Sequence, residues 1–303
     1  MDDLRASLHR VADAVADYRE ALPGMRVTPT SSRAEVREAL PGGLQDGSIP
    51  VDSVIDELLA GAAPGLMASA GPRYFGFVIG GSPPAPLLAD ILATGWDQVA
   101  FNEATSPAAL AFEDVAGAWL KDILGLPASA SVGFVTGGQA ANNVGLAAGR
   151  WQVLDRHGWD VGRDGLNGGP PVRVIVGAER HATIDRAVRL LGLGERSLVE
   201  IPSTAEGAMD TDALAVELTR LPPGPTIVCA QVGNVNTGAC DDLEAVVAAA
   251  RPLGAWVHVD GAFGLWAAAV PGLEDRVAGL AGADSWTTDA HKWLNVPYDS
   301  GIV

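Results

Sequence analysis

The chain has 303 residues, 48% of them hydrophobic and 19% charged, enough for one large core or two modest ones. Its formal net charge is −17 and no run of clustered Lys/Arg occurs, which excludes a nucleic-acid partner and leaves any anionic ligand to be held by backbone and a few side chains. No stretch of about 18 apolar residues marks a membrane span, the acidic start MDDLRASLHRVADAVADYRE is no signal peptide, and Cys229 and Cys240 lack metal-type spacing, so a soluble, cytoplasmic, metal-free protein is expected.

Residues 4 to 22 read as one helix, PGMRVTPTSSRAEVREALPGG as loop, short helix and turn, and 51 to 60 as another helix. These short amphipathic pieces, assigned to residues 1–70, form an arm that is either a mobile extension or, in the reading favoured by their apolar faces, a dimerisation segment packed on a partner subunit. From residue 71 onward the pattern becomes regular. Helices at 85–95 and 107–124 lead into the strand SVGFVT and an Ala-rich helix from 139 to 156. Then come VRVIV, a helix at 183–192, SLVEIP, a helix at 210–220, TIVCAQ, a helix at 241–251, AWVHVD and finally DSWTT. Short β-rich runs alternating with helices predict an α/β fold, a mostly parallel sheet covered by helices on both faces.

Ligands of such sheets sit beyond the carboxyl ends of the strands. The sequence places Thr136-Gly137-Gly138, His181, Asn234, Asp260 and Lys292 there. In FVTGGQAANN two glycines separate a strand from a helix, so the turn needs them for geometry, or they open backbone N–H groups and a helix N-terminus to a phosphate. Asp260 either caps the next segment or pairs with a cation, and beneath a pyridine nitrogen it would keep that nitrogen protonated. His181 either caps a helix or stacks on a flat ligand. Lys292 is one of only two lysines among the chain's 20 Lys and Arg residues, and it lies between Trp286 and Trp293. An apolar, aromatic setting favours the neutral amine of a lysine, which forms a Schiff base where arginine cannot.

Taken in order, TGGQAAN, ERH, HVDGAFG and DAHKW resemble the large domain of fold-type I pyridoxal-phosphate enzymes, and within them the group II amino-acid decarboxylases. PRYFGF, LLADIL and TSPAALAFEDVAGAWLKDILGLP extend the likeness upstream, so that it runs from about residue 70 to the end. The resemblance implies pyridoxal 5′-phosphate as cofactor, with Lys292 forming the internal aldimine, Asp260 holding the pyridinium nitrogen, Ala262 packed on the ring and His181 stacked on its other face. It further implies Gly137, Gly138 and Gln139 as phosphate ligands, His291 near the phosphate or substrate carboxylate, and Asn234, Ser285 and Thr288 as further cofactor contacts. The activity implied is decarboxylation of an L-amino acid to an amine by a homodimer with its site at the subunit interface. Aminotransfer, carbon–sulfur cleavage and a truncated, non-catalytic cofactor-binding module stand as alternatives. Departures from the family pattern are Gln139 after the glycines, Gly233-Asn234-Val235 and Gly261. The family also continues past the position of Val303 into a small C-terminal domain, so 71–303 is expected to be an incomplete large domain.

Overall fold

A computed structural model describes residues 4–303 of the chain, which divide between Gly81 and Ser82 into two compact units. The first unit holds helices α1 (Leu4–Ala21), α2 (Arg33–Ala39) and α3 (Val51–Ala62), and polar contacts link α1 with α3. The Ser7 hydroxyl reaches Asp52 at 3.2 Å, Arg10 pairs with Asp52 and Asp56, and the Tyr18 hydroxyl donates to the Met67 carbonyl. Helix α2 begins with a reciprocal box, Ser32 Oγ accepting from the Glu35 N–H while the Glu35 carboxylate accepts from the Ser32 N–H. Leu4, Leu8, Leu58 and Leu59 remain exposed.

The second unit opens with α4 (Pro84–Trp96) and α5 (Pro107–Ile123), the latter started by Ser106 as N-cap and Pro107 in the first turn. Both helices leave apolar side chains in solvent, among them Leu88, Leu92, Trp96, Phe112 and Trp119. There follow β1 (Phe134–Val135), α6 (Gly138–Asp155), α7 (Val161–Asp164), β2 (Arg173–Gly177), α8 (Ala182–Leu190), β3 (Leu198–Ile201) and α9 (Thr211–Arg220). The chain continues through β4 (Thr226–Gln231), α10 (Leu243–Ala250), β5 (Trp256–Asp260), β6 (Ser285–Asp289) and β7 (Gly301–Ile302).

The seven strands lie in the order β1-β7-β6-β5-β4-β2-β3. All neighbours from β6 to β3 are parallel, and β7 runs antiparallel between β1 and β6. The parallel α/β sheet expected from the alternation is therefore present; the two-residue β7 was not expected, because Gly301-Ile302 is too short to show periodicity. Both faces are buried, and alternation along the strands says which residue serves which face. Val174, Val176, Ile227 and Cys229 pack towards α6 and α8, whereas Ile175, Val228, Val257 and Val259 join α9 and α10 on the other side. On β5 the α6 side is polar instead: Trp256, His258 and Asp260 point towards α6, and His258 is fully buried. Among the described residues no helix is long and apolar enough to cross a membrane.

Candidate active site

At the carboxyl end of β5, Asp260 is 4% exposed and its two oxygens are separately bound. Oδ1 accepts the Ala262 N–H at 3.3 Å and Oδ2 accepts the Asn142 Nδ2–H at 3.0 Å. Burial pushes this carboxyl above its ordinary value, while the Asn142 hydrogen bond and the nearby charges of His181 and Lys292 draw it back down. A buried carboxylate held in this way is suited to a cation or a proton-bearing nitrogen.

His181 is the N-cap of α8, its ring nitrogen Nδ1 lying 2.9 Å from Thr183 Oγ1. Its loop is fixed twice over. The His181 N–H donates to Gln231 Oε1 at 3.0 Å, and Arg180 spans Asp185 and Glu200, both at 2.9 Å. These contacts leave the imidazole at the surface.

Helix α6 starts without a side-chain cap. Gly137, at φ 88°, occupies the N-cap, a conformation that L side chains avoid, and Gly301 passes so close that a Cβ on it would stand 2.4 Å from the Gly137 carbonyl carbon. Next to this helix start lies Asp289, 4% exposed. A methyl group on Gly138 would sit 2.7 Å from Asp289 Oδ2, and the same oxygen is 3.2 Å from Lys292 Nζ and 3.8 Å from His291 Nε2. Asp289 Oδ1, Gln139 Oε1 and Thr287 Oγ1 are buried without a hydrogen-bond partner. Asp289 Oδ1 and Gln139 Oε1 only accept, so a hydrogen-bond donor is what would complete them. An anion fits the uncapped N–H groups beside a lysine, and a protonated nitrogen fits Asp260.

Gly137, Gly138, Gln139, His181, Asp260, Ala262, His291 and Lys292 thus share the carboxyl-end rim of the sheet, while three other residues read as cofactor contacts do not offer a free group there. Ser285 stands at the amino-terminal start of β6, where its Oγ is bound by Trp256 Nε1 and His258 Nδ1, each at 2.8 Å. Thr288 is on the opposite face: period-two alternation sends Thr287 and Asp289 towards α6 and Thr288 away, into a cavity wall with Leu120, Leu124 and Ile302. Asn234 is spent on its own loop, its Oδ1 accepting the Asn236 and Thr237 N–H groups and its Nδ2 donating to the Glu179 carbonyl.

The aromatic flank expected for Lys292 is also different. Trp286 shares the Thr288 face and donates its indole N–H to the Leu280 carbonyl, and Trp293 tilts over Phe263 with ring centres 5.5 Å apart. The nearest charge to Lys292 is Asp289, which the sequence reading passed over together with Asn142, Thr183 and Gln231. A sequence signal for Asn142 existed: Gly138, Asn142, Gly145 and Gly149 fall on one face of α6, a stripe too small and polar for ordinary core packing.

A family model described as the pyridoxal-dependent decarboxylase conserved domain matches residues 34–303. Tryptophan decarboxylase 1 of Oryza sativa subsp. japonica is 31% identical over 97% of this chain and 59% of its own length. Phenylacetaldehyde synthase of a Rosa hybrid cultivar is 28% identical over 97% of the chain and 58% of its own length. Among solved structures, Oryza sativa TDC with PLP superposes with a TM-score of 0.89 at 30% identity, covering 99% of this chain and 66% of that one. Mouse CSAD shares the fold, with a TM-score of 0.90 at 22% identity over 99% of this chain and 64% of that one. The chain spans about three fifths of the length of the curated relatives it matches.

Proposed function

Since this chain belongs to the pyridoxal-dependent decarboxylase family, we propose that it works as a pyridoxal-phosphate-dependent carboxy-lyase, removing carbon dioxide from an aromatic L-amino acid to leave an amine. The observation that carries the reading is the pairing of two features on one rim: an uncapped glycine helix start beside Lys292, and the buried, doubly hydrogen-bonded Asp260. The aromatic substrate class is supported by relatives named tryptophan decarboxylase and tyrosine decarboxylase, 31% and 26% identical.

The residues fit the cofactor. Gly137, Gly138 and Gln139 would receive the phosphate through the backbone at the uncapped start of α6, with His291 beside them, since the Gln139 side chain already donates to the Thr183 carbonyl. Lys292 would anchor the aldehyde carbon, Ala262 and His181 would take the two ring faces, and Asp260 would hold the ring-nitrogen proton. Bound there, pyridoxal phosphate supplies an electron sink for the bond that breaks at the substrate's α-carbon. The chain's own contribution is electrostatic and positional. Asp260 would keep a proton at the ring nitrogen, which a buried carboxylate does far better than water. Arg180 and Gln231 hold the His181 loop so that the imidazole meets its ligand already oriented.

The exposed apolar faces of α4 and α5, including Leu92, Trp96 and Phe112, support a homodimer in which a second copy covers them, with residues 1–70 as the interlocking arm. The thiols of Cys229 and Cys240 stand free, which supports a reducing cytoplasm.

The test is a pyridoxal-phosphate titration of the chain followed by borohydride fixation and peptide mapping, with carbon dioxide release scored over tryptophan, tyrosine and phenylalanine. Fixation on Lys292, lost in Lys292→Ala, is expected. Full carbon dioxide release by Lys292→Ala or Asp260→Ala would refute the assignment, and a keto acid in place of the amine would transfer it to aminotransfer.

A further inference from the structure

Behind the rim, on the α6 side of the sheet, lies a string of buried and half-buried polar groups. Trp256 Nε1 is 2.8 Å from Ser285 Oγ, and the same Oγ is 2.8 Å from His258 Nδ1. His258 Nε2 is 2.9 Å from Asn142 Oδ1, and Asn142 Nδ2 is 3.0 Å from both Asp260 Oδ2 and Thr183 Oγ1. Thr183 Oγ1 in turn meets His181 Nδ1 at 2.9 Å. The string therefore ends on the two side chains read as the partners of the ring nitrogen and of the ring face.

Its direction follows from chemistry. An indole N–H only donates, so Ser285 Oγ accepts from Trp256 and passes its own proton to His258 Nδ1. His258 is then protonated at Nε2, which donates to Asn142 Oδ1 and turns the amide so that its N–H groups face Asp260 and Thr183. Thr183, having accepted, donates to His181 Nδ1, leaving the proton of His181 on Nε2 at the surface.

The opposite polarity is also internally consistent up to its last link. It needs a protonated Asp260 donating to Asn142, an Asn142 amide donating to His258 Nε2, and His258 donating from Nδ1 to Ser285. Ser285 Oγ would then receive two donors, Trp256 and His258, and its own proton would find no other acceptor within hydrogen-bond distance among the described residues. Leaving such a proton unpaired in a buried site is unfavourable.

We propose that Trp256, Ser285, His258 and Asn142 form a one-way hydrogen-bond chain that delivers an amide donor to Asp260 and so keeps it an acceptor, while fixing the tautomer of His181 through Thr183. These are positioning residues; none touches the ligand. Burial agrees with the direction, since it lowers His258 to about 4 and makes the ring neutral, with one proton to place. Helix α6 is built around the string. A Cβ at Gly145 would lie 2.6 Å from His258 Cε1, and one at Gly149 would lie 2.7 Å from Trp256 Cδ1. Two glycines inside a helix weaken it by about 1 kcal/mol each relative to alanine, and both stand where the string needs space.

The functional consequence rests on the reading of Asp260 as partner of a ring nitrogen, so the first test needs neither cofactor nor turnover. In the chain labelled with 15N-histidine, a long-range 1H–15N correlation separates the two neutral tautomers, with His258 identified by its loss in His258→Gln. The expected result is His258 protonated at Nε2 near neutral pH, with Trp256→Phe adding a measurable Nδ1-protonated population. The second test is the pyridoxal-phosphate dissociation constant of Asn142→Leu, expected to rise roughly ten-fold because a hydrogen bond to a charged group is lost. An Nδ1-protonated His258 in the unaltered chain overturns the proposal, and so does wild-type cofactor affinity in a folded Asn142→Leu. Correct polarity together with no fixation of cofactor on Lys292 would leave the hydrogen-bond chain standing and sink the decarboxylase reading instead.

Discussion

Replacing Gly145 by alanine sets helix propensity against packing. Alanine would stabilise the interior of α6 by about 1 kcal/mol. The new methyl, however, would stand 2.6 Å from His258 Cε1, 2.7 Å from Nδ1 and 3.4 Å from Ser285 Oγ, and the ring is fully buried with both nitrogens hydrogen-bonded. Overpacking of this kind costs about 1–3 kcal/mol, and moving the ring breaks buried hydrogen bonds on both of its nitrogens, at about 1–3 kcal/mol more. Packing wins, with an expected net loss of roughly 1–5 kcal/mol. Gly95, in the last turn of α4, is the control, because a Cβ there meets nothing within 4 Å. Gly95→Ala is expected to gain about 0.5–1 kcal/mol. Urea unfolding followed by circular dichroism measures both, through the midpoint at constant m-value. A Gly145→Ala chain as stable as the unaltered one, with the same m-value, would refute the argument that His258 is held against the helix.

The remaining expectations are shorter. Thr288→Val should leave pyridoxal-phosphate affinity within about two-fold of wild type, since Thr288 faces the Leu120 side of the sheet, and a ten-fold loss in a titration would return it to the site. His258 gives a pH dependence of stability whose sign is fixed. Its folded value of about 4 lies below the ordinary 6.5, so the unfolded chain binds the proton first, and stability falls as pH drops from about 6.5 to about 4, by roughly 3 kcal/mol at the most. Burial raises Asp241 and Asp260, which work in the opposite sense at the acidic end. The difference between wild type and His258→Phe in urea midpoints at pH 7 and pH 4.5 isolates the histidine, and equal pH slopes in the two chains would count against its burial as a neutral ring. Arg180→Ala should weaken cofactor binding several-fold by releasing the His181 loop from Asp185 and Glu200 while leaving fixation on Lys292 possible; unchanged affinity would show that Gln231 alone holds the loop.

The sheet was legible because its signals are local and repeated. Every parallel strand is a short β-branched run between helix patterns, and Asp210 and Asp242 announce α9 and α10 as side-chain caps. Strand β7 carries no such signal. Gly301 and Ile302 pair with Val135, Phe134, Asp289 and Thr288 only because the turn after Lys292 brings them back between β1 and β6.

The site was legible to the depth of one shell. Residues that sit at strand ends, such as Asp260 and Lys292, follow from where strands stop. Which way a side chain points inside a strand does not, because it depends on a register that one residue's shift inverts; hence Thr288 was assigned to a rim that it does not reach, whereas Ser285 faces α6 but stands at the other end of its strand. Partners distant in sequence are harder still. The Asn142–Asp260 contact spans 118 residues and the His258–Asn142 contact 116, and no spacing rule links a helix position to a strand that distant. What does link them is the glycine stripe. Descending α6, Gly138 meets Asp289, Asn142 meets Asp260, Gly145 meets His258 and Gly149 meets Trp256, so the small face of the helix mirrors the polar face of β5 and the end of β6. A glycine pair four residues apart in an otherwise Ala-rich helix is thus evidence of a bulky polar neighbour. In this chain the large side chains packed against that stripe are His258 and Trp256, the middle and the start of the strand that ends in Asp260.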